Sequence, residues 1–244
     1  MVALVNFGDV EIITAMRAVL LDLVPTGVDV IRALDNRVPE PNGDNFVVIT
    51  PLRRERLATN ANTDTDIRLT GSIAGTTLTV ETGPVLLPGY SLYGLLVAPR
   101  TAVVASLADP GTYTVTPAQS VPAGSKLYAG RHAMMQPFDM VYQCDIHGPR
   151  SELNAQAIST TWRDERGCEL MAAAAPLLGI RPLYADDPRM VAFVNAESQW
   201  EDRWIVDLHL QANIVVELGQ EFAEVVEVEI YPTDLVVVPE PIPH

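Results

Sequence analysis

Lysine is almost absent from this chain. Lys126 stands alone among 16 basic residues, the rest being arginine, and 31 acidic residues leave a formal net charge of −15. Beyond Arg203 there is no Lys or Arg, while Asp207, Glu217, Glu221, Glu224, Glu227, Glu229, Asp234 and Glu240 follow. A protein that binds DNA without regard to sequence neutralises phosphates with clustered cations, and this pattern is the reverse. On composition alone ordinary acidic solubility is the favoured reading, and a surface that DNA passes without sticking, because like charge keeps contacts brief, is the functional one. Cysteine is scarce too: Cys144 and Cys168 do not make a disulfide framework and read as buried thiols in a reducing cytoplasm. No run of about 18 apolar residues occurs, so no membrane-spanning helix is expected. The opening MVALVNFGDVEII has neither the positive region nor the small-residue cleavage site of a secretory signal.

Chemistry-bearing motifs are missing as well. His132, His147, His209 and His244 are scattered with no HExxH, and there is no GxSxG, no Walker loop and no CxxC. Asn60, Asn62 and Asp64 alternate as in a calcium loop, but Thr65 stands where glycine is needed and Gly71 where glutamate is needed. Cys144 falls on the opposite strand face from Asp145 and His147, so the three do not form a nucleophile with its base. Asp186 and Asp187 are adjacent beside Pro188 and read as a solvated turn. The expectation is a protein that is not an enzyme, with no cofactor and no metal.

What is present suffices for a sizeable core, since 48% of the 244 residues are hydrophobic and only 19% charged. Asp9 as N-cap, Glu11 in the first turn, and Ile12, Ile13, Met16, Val19, Leu20 and Leu23 at helical steps predict an amphipathic helix ended before Pro25. A polar connection over 26–45 leads to a β-branched run, Phe46 to Ile49, a buried strand with Arg53, Arg54 and Arg56 at its exit. Residues 60–66 read as a turn into a stretch, 67–133, rich in Gly, Thr, Val and Pro. There Leu78 and Val80 alternate with Thr77 and Thr79, and Tyr113 and Val115 with Thr112 and Thr114, which predicts short strands, and the composition resembles that of a small β-sandwich- or barrel-like module.

Beyond it, Met140, Tyr142, Cys144 and Ile146 share one face of a strand. Ser151 caps a helix running to about Leu178, with Gly167 marking a bend, and Pro182 opens a loop. In a strand over 203–212, Trp204, Val206, Leu208 and Leu210 point inward and Asp207, His209 and Gln211 outward. A last strand over 224–231 sets Val226, Val228 and Ile230 against Glu227 and Glu229, and the Pro-broken residues 236–244 read as an extended arm.

Three strings, DNRVPEPNGDNFVVITPLRRERLATN (35–60), QCDIHGPRSELNAQ (143–156) and RPLYADDPRMVAFVNAESQWEDRW (181–204), resemble a tailed-bacteriophage neck and tail terminator family. The resemblance implies an α+β fold, with an antiparallel sheet of four or five strands flanked by two helices over residues 1–66 and 134–244. It also implies that 67–133 is an inserted small all-β domain, because most relatives are shorter there. The subunit would be a virion structural protein assembled in the host cytoplasm. It would form a cyclic homo-oligomer, a hexamer, that caps the tail tube protein and joins it to the head-to-tail connector protein, with genomic DNA passing through the lumen. Rings need heterologous interfaces, and charge complementarity sets their register. Arg37, Arg53, Arg54 and Arg56 are therefore expected at the inter-subunit interface, and Glu227 and Glu229 along the lumen. Two alternatives stay open. One is a head-completion or connector protein of the neck. The other is a decoration or receptor- or glycan-contacting module carried by 67–133, with Tyr90, Tyr93, Tyr113 and Tyr128 as its aromatics.

Overall fold

The chain enters through β1 (Leu4–Val5) and α1 (Asp9–Leu23), then lays down β2 (Asp29–Arg32), β3 (Phe46–Arg56) and β4 (Ala61–Thr82). Two short strands, β5 (Ser91–Tyr93) and β6 (Thr101–Ser106), precede β7 (Thr112–His147), a strand of 36 residues. Helices α2 (Ser151–Trp162) and α3 (Glu165–Ala174) follow, then β8 (Ile180–Ala185), β9 (Arg189–Met190), β10 (Phe193–Val194), β11 (Trp200–Glu201) and β12 (Arg203–Gly219). The computed structural model describes residues 3–33, 43–194 and 200–222.

The register makes β7 the spine. Its His147 pairs with Phe46 of β3 on one side and Arg203 of β12 on the other, and its Met135 pairs with Ala61 of β4 and Val215 of β12. Thus β3 and β4 lie end to end along one flank of β7, and β12 runs along the opposite flank. Further out on that opposite flank, β5 pairs at Tyr128 and β6 at Thr114. The sheet is mixed, because β2 joins β3 in parallel at Asp29–Phe46.

Period-2 alternation decides which face is dry. Met140, Tyr142, Cys144 and Ile146 of β7 and Val206, Leu208, Leu210 and Ala212 of β12 are buried under the three helices. Helix α1 contributes Ile12, Ile13, Met16, Val19 and Leu20 to that core. Each fully buried aliphatic side chain of this kind contributes about 1.5–3 kcal/mol relative to exposure. Gly8 precedes α1 and its N–H donates to the Glu11 carboxylate at 2.9 Å, which holds that carboxyl below its ordinary range. A second apolar cluster, with Leu69, Ile73, Leu78, Leu92, Val115 and Leu127 among its members, fills the far part of the sheet.

The expected fold class is overturned. Among the described residues strand makes up 54% against 18% helix, with three helices and a ten-stranded mixed sheet beside the small β10–β11 pair, in place of an antiparallel sheet flanked by two helices with a small insert. The reason is that β7 continues from the helix-covered core into the second cluster, where β4 pairs along it with register shifts at Gly71–Ile73 and Gly75–Thr77. Local expectations shift with it. Residues 61–66 start β4 and do not turn, because Thr63 and Asp64 find partners in Ala133 and His132. The single long helix is two, since Asp164 accepts from the Arg166 N–H at 2.9 Å and caps a new start. Pro182 sits within β8, outside any loop. The strand expected over 224–231, the arm over 236–244, and Arg37, Glu227 and Glu229 lie outside the described residues.

Candidate interaction surface

Strand β2 pairs with β3 only as far as Arg32 opposite Ile49. Past that point residues 50–56 are held by β7 alone, and no described strand covers their outer side. This open edge is where the sequence sets its arginines, and residues 52–56 are all exposed. The pleat sends alternate side chains to opposite faces, and after the register shift between Pro51 and Arg53 it is Arg54 that pairs opposite Met140. Arg54 turns to the helix side and pairs with Asp9 at 3.0 Å, while Tyr142 donates to the same carboxylate at 2.8 Å. Burial, reinforced by that hydrogen bond, pushes the Tyr142 phenol far above its ordinary range. Arg53 pairs with Glu55 at 3.1 Å, and Arg56 donates to the Ala58 carbonyl at 2.8 Å and to Asn60 Oδ1 at 3.3 Å. The Arg53 and Arg54 side chains remain 56% and 43% exposed, so these contacts leave guanidinium donors facing solvent.

The helix-free face of the same strands carries a polar network that the sequence reading missed. Asp145 is paired with Arg203. Asp207 accepts from Gln143 and from Arg189, each at 3.1 Å. His147 lies 3.2 Å from Glu201 and stacks on Phe46 with ring centroids 4.4 Å apart. Burial outweighs Glu201 and pulls the His147 pKa below the ordinary imidazole value. His209, expected outward, is buried: its Nδ1 meets Asp139 at 3.1 Å and Tyr184 stacks over its ring at 3.9 Å. Through Asp186, Arg189, Glu201 and Arg203, the chain around β9 and β11 is tied down onto this face. The polar residues were visible as an alternation, but which strands would pair was not.

Nothing in these groups resembles a nucleophilic site. Cys144 is fully buried beneath the helices, and burial, with Asp145 nearby, pushes its thiol far above its usual range. Among the described residues no three His, Cys, Asp or Glu side chains converge to hold a metal ion. Of the tyrosines in 67–133, Tyr90 and Tyr113 are buried, the latter accepting the Leu86 N–H at 3.0 Å. Tyr93 and Tyr128 are half-buried and stack on each other at 5.5 Å.

An apolar groove of about 920 Å³ opens where the end of β12 meets β1, β5 and β6. Leu4, Pro88, Val103, Val104 and Leu218 form its walls, and Arg100 stands on its lining.

No curated protein matches the chain. A family model described as phage neck terminator protein matches residues 90–234. That range begins at Tyr90, just before β5, and takes in β7, the α2–α3 pair and β12 with its polar network; the arginine edge of β3 lies outside it. Spanning more than half of the chain and the whole spine of the sheet, this match places the protein in the phage neck terminator protein family, a family of phage structural proteins.

Proposed function

We propose that this chain is the ring-forming subunit of a phage neck, a non-enzymatic virion protein that caps the tail tube and joins it to the head connector. Family membership supplies the neck. The observation that carries the ring is the open edge of β3, a cationic strip on a molecule of net charge −15. A head-to-tail interface sets one patch against a different patch of the next copy, and an arginine edge meeting an acidic surface satisfies that requirement. Six copies, assembled in the host cytoplasm, would enclose a lumen through which genomic DNA passes. Its acidic wall, with Glu227 and Glu229 assigned to it, would keep the DNA from binding. Residues 67–133, on the far part of the sheet, are assigned to contact with a neighbouring virion protein.

The test is charge reversal at Arg53 and Arg56, sparing Arg54 because Asp9 holds it within the chain. In this reading the purified wild-type protein forms rings, seen by light scattering and by class averages in ice. The Arg53→Glu, Arg56→Glu variant remains a folded monomer by circular dichroism. Intact rings in the variant overturn the interface assignment, and a twelve-fold wild-type ring moves the protein to the connector.

A further inference from the structure

The hairpin of β5 and β6 ends in a loop, residues 94–100, that displays apolar side chains on a fixed frame. Leu95 is 99% exposed and Leu96 56%. Beneath them the Val97 N–H donates to the Gly94 carbonyl at 3.1 Å, and the Ala98 N–H to Gln119 Oε1 at 2.7 Å. Gln119 donates in turn to Thr101 Oγ1, and Thr101 to the Ala98 carbonyl, each at 2.7 Å. Arg100 closes the loop at φ +62, a left-handed conformation that residues other than glycine rarely take and that clusters at functional positions. A loop held this firmly loses little freedom when its tip is buried. We propose that the Leu95–Leu96 tip of one copy seats in the apolar groove of a second copy, the groove walled by Leu4, Val103, Val104 and Leu218.

Shape and charge both favour another copy as the occupant. The exposure of Leu95 shows that the tip stands clear of the groove of its own chain. At about 920 Å³ the groove falls in the size range of clefts that hold ligands, and aliphatic walls suit a pair of leucines. Two copies of net charge −15 repel over most of their surfaces. Residues 94–100, GLLVAPR, carry no acid and one cation, so the tip is spared that repulsion. Its Arg100 would arrive beside Glu221 on the groove of the receiving copy. Tip and groove are different patches of one chain, so the contact is head-to-tail, the kind a ring repeats. The inference rests on the proposed ring, to which it adds an apolar contact separate from the arginine edge of β3.

The experiment uses the full chain with Cys168→Ser, which leaves the fully buried Cys144 as its native thiol. One preparation carries Leu95→Cys and the other Val104→Cys, an exposed position on the groove wall. Mixed and oxidised, they should give a disulfide between two chains, several-fold more than either preparation alone. The variant Leu95→Asp, Leu96→Asp, altered only at exposed positions, should keep the wild-type circular dichroism. It should self-associate at least about 30-fold more weakly in analytical ultracentrifugation, the loss of one hot spot. Rings that form without the mixed disulfide, or that survive Leu95→Asp, Leu96→Asp, overturn this contact and leave the ring standing. A mixed disulfide in a protein that closes no ring supports the contact alone. A wild-type protein that stays monomeric and gives no mixed disulfide overturns both.

Discussion

Trp162 is the sharpest place to test the account of the core. It closes α2, is fully buried, and its indole Nε1 donates to the backbone carbonyl of His209 at 2.9 Å. One side chain thus ties the helix layer to β12 at the residue whose imidazole serves the polar network on the other face. Trp162→Phe removes the donor and part of the ring. Leaving the His209 carbonyl buried without that donor costs about 1–3 kcal/mol. At about 24 cal/mol per Å³ of unfilled space, a residual void of roughly 40 Å³ adds about 1 kcal/mol. The expected loss is about 2–4 kcal/mol, a large share of the 5–15 kcal/mol typical of a domain. Urea unfolding followed by circular dichroism should show a lower midpoint with an unchanged slope. A loss below about 1 kcal/mol would mean that water or another donor satisfies the carbonyl and that Trp162 does not couple helix to sheet.

Three further outcomes follow from the same geometry. Because burial lowers the His147 pKa, the unfolded chain binds more protons near the ordinary imidazole value, so stability should fall as pH drops through about 6.5, with a slope of at most about 1.4 kcal/mol per pH unit from this group. His147→Phe should lose less stability than wild type on moving from about pH 7.5 to about pH 5.5, and equal losses would remove His147 from the titration. Gly148→Ala places a Cβ 2.0 Å from the Asp44 carbonyl oxygen at φ +95, and should cost about 3 kcal/mol from strain and displaced backbone; a thermal midpoint matching wild type would refute it. A thiol reagent should titrate only Cys168 in the native protein and reach Cys144 after denaturation, whereas two fast thiols would show that the sheet–helix core opens.

How much of this was legible depended on whether a residue's neighbours were local. The stripe of α1 was readable because every contact that selects it recurs within the helix period. The faces of the strands were readable for the same reason, as with Tyr142 and Cys144. Their partners were not, because alternation states which side a residue takes but not which strand lies beside it. That gap explains His209, which looks like an outward polar residue until Asp139 and Tyr184 arrive from β7 and β8. It also explains residues 61–66, whose Asn, Thr and Asp imitate a turn and become a strand only against β7. The arginine edge was visible as composition. That it forms an open edge became visible only with the point at which β2 stops.

The length of β7 has a mechanical consequence. One covalent strand passes through both apolar clusters, and its ladder with β12 alone runs unbroken from His147 opposite Arg203 to Arg131 opposite Gly219. A force applied along that axis at the far end loads those hydrogen bonds in shear, all together, whereas a force across it would peel them one pair at a time. The protein is therefore stiff along β7 and compliant at right angles to it, so tension entering at the distal cluster is delivered to the helix-covered core with little stretch between.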